Sequence, residues 1–194
     1  MRTSLLLASA SPRRKQLLEQ LGIDVLTCVA ADIDESIKPG EQDTDYVQRL
    51  AAEKAEEIAK LHPMATVLAA DTCISIDGQI IGKPENYQEA CHIWRRLGNR
   101  WHQVMTAVCL YADGHYYVAL NTSDVYFVRL TAEQMQSYWL SGEPQDKAGA
   151  YAIQGLAAQW IAEIRGSYSA IMGLPLYETA QLLSQAGLME SHEQ

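Results

Sequence analysis

LLLASASPRRKQLLEQL, residues 5–21, decides the fold class. The apolar run Thr3–Ser9 reads as a short core strand. Ser11-Pro12 then opens a helix from Pro12 to about Leu21, with Leu17, Leu18 and Leu21 on one face and Gly22 as its stop. A strand passing directly into a helix, with the two signals alternating onward, is an α/β pattern.

Working outward, Val25–Val29 reads as a second strand and Ala31–Glu41 as an acidic loop. Thr44 is expected to cap a helix reaching about Leu61, apolar at Val47, Leu50, Ala51, Ala55, Ile58 and Ala59. Thr66–Asp71 is a buried strand ending in an acid, and Cys73–Ile81 a hairpin turned by Asp77-Gly78. A helix from about Asn86 to Leu97 follows. His102–Tyr111 and Tyr116–Val128 form a long hairpin with Asp113-Gly114 at its turn. Thr131–Leu140 is helical, Gln159–Ile164 a strand and Pro175–Gln185 the last helix. Crossover and hairpin connections together predict a mixed sheet. One compact unit with two lobes is expected, with ligand in a cleft between them or at the strand C-termini.

The 194 residues suffice for a core without disulfides, and 48% hydrophobic with 20% charged residues excludes disordered and fibrous classes. The apolar runs Val67–Ala70 and Gln103–Tyr111 are too short to span a bilayer, and no secretory signal is visible. The net charge of −9 argues against nucleic-acid binding. Residues 31–57 hold nine acids against three bases, so Arg13-Arg14-Lys15 stands out. Cys28, Cys73, Cys91 and Cys109 lack metal-site spacing and read as buried free thiols in a reducing cytoplasm. Trp94, Trp101, Trp139 and Trp160 suit a core or an interface equally.

Five segments could carry chemistry. Two arginines in the first helical turn oppose the helix dipole, a conflict that a polyanion such as a triphosphate removes. The alternative is that they point to solvent or pair with the acidic segment. Asp71, closing a buried strand, suits a general base, a metal ligand or a turn residue. Lys54 and Lys83 are cations able to meet phosphate or simply face water, and no P-loop spacing is present. Glu35 reads alone as part of an acidic loop; beside Asp71 and a triphosphate it becomes a Mg²⁺ ligand. Asp146–Gly155 is rich in small residues, as a loop near a ligand or a tight turn would be. Gln154 there carries the donor and acceptor needed to read a base edge.

Seven pieces in this order resemble the Maf family of nucleotide pyrophosphatases: Leu6–Leu18, Glu53-Lys54-Ala55, Ala70-Asp71-Thr72, Gly82-Lys83-Pro84, Arg100–Val108, Asp146–Gly155 and Gly166–Leu176. The resemblance implies a two-lobed α/β fold with a mixed, mostly curved sheet flanked by helices, similar to inosine-triphosphate pyrophosphatases. It implies hydrolysis of a nucleoside triphosphate to monophosphate and pyrophosphate with a divalent metal, Mg²⁺ or Mn²⁺. Asp71 matches the proton acceptor and Glu35 a polar position of the pocket; beside a triphosphate the two read as metal ligands, a role that competes with Asp71 as base. Ser9, Arg13, Arg14, Lys54, Thr72, Lys83 and Gln154 match substrate-binding positions, with Arg13, Thr72 and Gln154 linked to substrate choice. Asp146–Gly155 resembles the dTTP and UTP branch; a sister branch prefers 7-methyl-GTP. A modified nucleotide as substrate and a nucleotide-binding regulator of cell division are the alternatives. A homodimer is also implied. Leu97-Gly98-Asn99-Arg100 and Leu156-Ala157-Ala158 depart from the family pattern and bear on fine substrate preference.

Overall fold

A computed structural model describes residues 4–190. Thr3, where the first expected strand begins, lies outside the described residues. The elements are β1 (Ser4–Leu7), α1 (Pro12–Gln20), β2 (Asp24–Cys28), α2 (Asp43–Leu61), β3 (Val67–Ile76), β4 (Gln79–Ile81), α3 (Tyr87–Leu97), β5 (Arg100–Ala112), β6 (His115–Phe127), α4 (Ala132–Leu140), β7 (Ile161–Arg165), α5 (Tyr168–Ile171) and α6 (Leu176–Gln185). The strands pair in the order β2-β1-β3-β5-β6-β7, with β4 added to β3. β1 is parallel to β2 and β3, whereas β3–β4 and β6–β7 are antiparallel, so the sheet is mixed as expected.

The described residues divide into two compact units. Residues 4–71, 106–121 and 173–190 form the first, and 72–105 with 122–172 the second. In the first, Leu5, Leu7, Leu17, Leu18, Leu50, Ile58 and Leu68 are fully or almost fully buried. They come from the apolar faces read in β1, α1, α2 and β3. In the second, Ile74, Ile76, Trp94, Leu97, Phe127, Tyr138, Tyr151 and Trp160 belong to one core cluster. Trp94 and Trp160 flank Tyr138, with ring centroids 5.4 and 5.0 Å away, and are therefore core residues. Both hairpin turns are as read: Asp77-Gly78 and Asp113-Gly114 all take positive φ, the backbone a two-residue turn requires.

Several expectations are corrected. Asp71 does not end a strand. β3 runs on through it to Ile76, because Ile74–Ile76 pair with β4 while Val67–Leu68 pair with β1. Asp71 lies between these two paired stretches. Thr44 does not cap α2; the cap position is Gln42, and Asp43 and Asp45 in the first turn favour the helix start through its dipole. Ser11 holds the cap position of α1 without a side-chain cap bond; its N–H instead donates to Ser9 Oγ at 3.1 Å. Gln159 and Trp160 belong to a 3₁₀ turn, Leu156–Trp160, that precedes β7. Cys28 is exposed, because β2 is an edge strand with little of its surface covered; the other three cysteines are buried free thiols.

The small-residue segment at 146–155 bends at Gly149. There φ is +67°, and an added Cβ would overlap the Ile74 side chain. Gly149 N–H donates to Gly82 O at 3.0 Å, which ties the turn to the Gly82-Lys83-Pro84 loop. Replacing Gly149 by alanine adds left-handed strain to that overlap. The expected cost is about 1–3 kcal/mol in chemical unfolding; a wild-type midpoint for Gly149→Ala would contradict it.

Candidate active site

Helix α2 carries the pivotal side chain. Val47, Leu50, Ala51, Ala55 and Ile58 form its buried stripe, and Lys54 falls on the same stripe by helical spacing. Its stem is therefore covered and its ammonium needs partners. Two carboxylates supply them. Lys54 Nζ lies 2.6 Å from Asp71 Oδ1 and 2.6 Å from Glu35 Oε1. The Lys54 and Asp71 side chains are only 12% and 11% exposed, so this is a nearly buried ion pair and not a surface contact.

Glu35 reaches this point from a loop, and α2 fixes that loop. Arg49 donates to Glu41 through Nε at 2.6 Å and Nη2 at 2.8 Å, to Glu53 through Nη1 at 3.1 Å, and to Ser36 O at 3.0 Å. Tyr46 donates its hydroxyl to the Glu35 carbonyl at 3.0 Å. Glu41 also accepts from Lys38 N–H at 2.9 Å. The acidic segment is thus an ordered loop organised around Arg49. That bidentate hydrogen bonding holds the Glu41 carboxyl down at about 2.

The turn from β1 into α1 brings the basic groups. Ser9, a buried hydroxyl, accepts from Arg14 Nη1 at 3.2 Å, and Arg14 Nε donates to Gly173 O at 2.8 Å. Arg14 is a placed charge, not a solvent-facing one. Burial lowers its pKa first of all; Asp71 opposes that shift, Arg13 adds to it and Glu35 opposes it. No acid occupies the first turn of α1. For Asp71 burial raises the pKa most, Lys54 and then Arg14 pull it back, and Glu35 raises it further. Asp71 thus has its protonation set by burial and by the charges of Lys54, Arg14 and Glu35, the condition under which a carboxylate becomes a usable base.

Ser9, Arg13, Arg14, Glu35, Lys54 and Asp71 thus all belong to the first unit. Thr72, Lys83 and Gln154 belong to the second. Thr72 is the next residue of β3, Lys83 stands exposed after β4, and Gln154 is exposed in the turn before Leu156. Sequence reasoning missed Arg49 as the organiser of the Glu35 loop and Gly173 as the acceptor for Arg14. The signal for Arg49 was its position as a base amid the acids of 31–57; Gly173 carried none, since its role is played by a carbonyl.

Among the described residues no three or more His, Cys, Asp or Glu side chains gather as a metal cage. Glu35 and Asp71 do converge on one cation, the Lys54 ammonium. Two carboxylate oxygens are a partial shell of the kind a hard divalent cation completes with substrate oxygens, so the donor set fits Mg²⁺ or Mn²⁺. No helix among the described residues is long and apolar enough to cross a membrane.

Fold and site define an α/β protein with a basic helix start beside an acid–lysine cluster. The chain belongs to the Maf family, whose model, described as Maf-like protein, matches residues 4–186. A dTTP/UTP pyrophosphatase of Acinetobacter baylyi is 48% identical over 179 residues, covering 92% of this chain and 97% of that protein. One from Pseudoalteromonas atlantica is 47% identical over 193 residues, covering 97% and 99%. The Staphylococcus aureus Ham1 structure aligns with a TM-score of 0.45 and 15% identity, covering 73% of this chain and 100% of that one.

Two outcomes follow from this geometry. Lys54→Met takes the ammonium from the nearly buried Asp71, so Asp71 titrates at higher pH than in the wild type by carboxyl NMR, and stability falls by about 3 kcal/mol. An unmoved Asp71 titration would contradict the shared-ammonium arrangement. Glu41 has a depressed folded pKa, so its contribution to stability is present above the ordinary carboxylate range and lost as pH falls toward about 2. The melting-temperature gap between wild type and Glu41→Gln should therefore close on acidification; a gap independent of pH would refute it.

Proposed function

We infer that this protein is a nucleoside triphosphate pyrophosphatase acting on dTTP and UTP. The observation that carries the reading is the convergence of Glu35 and Asp71 on Lys54, in the unit whose first helix begins with Arg13-Arg14. The relatives' names support the substrate, since they match over nearly the whole chain.

In this reading the N–H groups of the first turn of α1 and Arg13 bind the negatively charged phosphates. Arg14, fixed by Ser9 and Gly173, supplies a constant positive field without having to reorganise. Lys54 neutralises charge among the carboxylates and the phosphates. Asp71, ionised, accepts a proton from a water as that water adds to the α-phosphorus. The bond from the α-phosphorus to its bridging oxygen breaks, and pyrophosphate leaves with the electron pair. Burial makes Asp71 a stronger base than an exposed aspartate. Glu35 and Asp71 would hold a divalent cation, Mg²⁺ or Mn²⁺, which when bound neutralises phosphate charge and polarises the reacting centre. Lys83 binds phosphate, and Thr72 and Gln154 read the pyrimidine. A homodimer in the cytoplasm completes the reading.

With Mg²⁺ or Mn²⁺ present, dTTP and UTP should yield monophosphate and pyrophosphate in equal amounts, with no orthophosphate. Asp71→Asn should lower kcat by about a thousandfold while circular dichroism stays unchanged. Folded protein that releases no pyrophosphate from any nucleotide would overturn the reading in favour of a binding regulator. The acid limb of kcat/KM should lie above the usual aspartate range, because burial raises the Asp71 pKa. A limb below that range would leave Asp71 a metal ligand only and give the proton transfer to another group.

A further inference from the structure

The turn that carries Gln154 is held at both ends by one pair of side chains, Tyr138 and Glu143. On the near side, Ala152 N–H donates to the Tyr138 hydroxyl at 3.2 Å. That hydroxyl donates in turn to Glu143 Oε1 at 2.6 Å. On the far side, Glu143 Oε2 accepts from Leu156 N–H at 2.8 Å, and Oε1 from Ala157 N–H at 3.4 Å. Between these anchors Gly155 N–H donates to Ala152 O at 3.0 Å, which closes the turn around Ile153 and Gln154. Gly155 admits the arrangement because any Cβ there would overlap the Glu143 carboxylate.

The approach to this turn is equally fixed. Trp94 Nε1 donates to Ala150 O at 2.8 Å, and His102 Nε2 pairs with the Tyr151 hydroxyl at 2.7 Å. His102 is buried, and burial pushes its pKa down to about 3, so this link does not change through the working pH range. Tyr138 is itself buried between Trp94 and Trp160 and has no room to turn away. A carboxylate that accepts from a tyrosine and two backbone amides is more than a turn needs for closure alone. It fixes where the Gln154 backbone stands, and thereby where its amide can point.

We propose that Glu143, through Tyr138, is a positioning residue for base choice: the pair holds the Ile153–Gly155 turn so that the Gln154 amide meets a pyrimidine edge in one orientation. The proposal rests on the dTTP/UTP reading. Loss of the pair leaves Gln154 in the chain but loosens the turn that sets where its backbone stands, and a misplacement of about 1 Å is costly.

The test compares wild type, Tyr138→Phe, Glu143→Gln, Gln154→Ala and the Glu143→Gln/Gln154→Ala double variant. Each is assayed for kcat and KM with UTP and CTP, which differ at the base edge alone. Tyr138→Phe keeps the ring and removes only the hydroxyl, so it carries the test if Glu143→Gln does not fold. The preference for UTP over CTP should fall by about tenfold in Tyr138→Phe and in Glu143→Gln, through KM more than kcat. In the double variant Glu143→Gln should add nothing to the effect of Gln154→Ala. Variants that melt earlier but keep the wild-type preference, or that lose kcat equally on both nucleotides, would reduce the pair to a structural brace and overturn the proposal. A wild type that releases no pyrophosphate from UTP would sink the parent reading and this proposal with it. Unchanged preference in Gln154→Ala would overturn the base-reading role and leave the pyrophosphatase reading standing.

Discussion

One ammonium group, that of Lys54, governs the first unit. Burial, and to a lesser degree the nearby Glu35, favour the neutral form of Asp71, and the Lys54 ammonium that both carboxylates share opposes them. The lysine can serve them only because α2 buries its stem along the stripe that also holds Leu50, Ala51 and Ile58. The helix thus converts ordinary hydrophobic packing into placement of a charge. The same helix fixes the Glu35 loop through Arg49 and Tyr46. One element thereby sets one carboxylate and the cation, and β3 supplies the other carboxylate.

The second unit uses aromatic residues for a comparable task. Trp94, Tyr138 and Tyr151 belong to its apolar core, yet each polar atom they carry meets a partner in or beside the small-residue segment. Burying an aromatic ring with its donor satisfied gives both packing and a fixed hydrogen bond. A segment of alanine and glycine has few side chains of its own with which to hold a conformation. Here the surrounding core supplies the constraint that composition withholds.

Much of this was legible in the sequence, for reasons that differ from element to element. The helical stripe of α2, the helix over about Asn86–Leu97, the Asp-Gly hairpin turns and the strand-to-helix passage at Ser9–Pro12 are local patterns that the structure repeats. The basic helix start and Asp71 stood out because they violate what stability alone would choose. The continuation of β3 through Asp71 was hidden, because an acid and a threonine inside an apolar run read as a strand end until β4 is seen to pair beyond them. Cys28 looked like a core thiol because strand propensity does not reveal which strand lies at an edge. Arg49, Gly173 and Glu143 were missed for a common reason. Their roles are to hold another residue, and such roles exist only once distant parts of the chain have met.

Hydrolysis of UTP in oxygen-18 water, followed by mass spectrometry of both products, tests the central claim most directly. If Asp71 drives water onto the α-phosphorus, one heavy oxygen appears in UMP and none in pyrophosphate. Heavy oxygen in pyrophosphate, or labelled orthophosphate, would place the attack on another phosphorus and contradict the account.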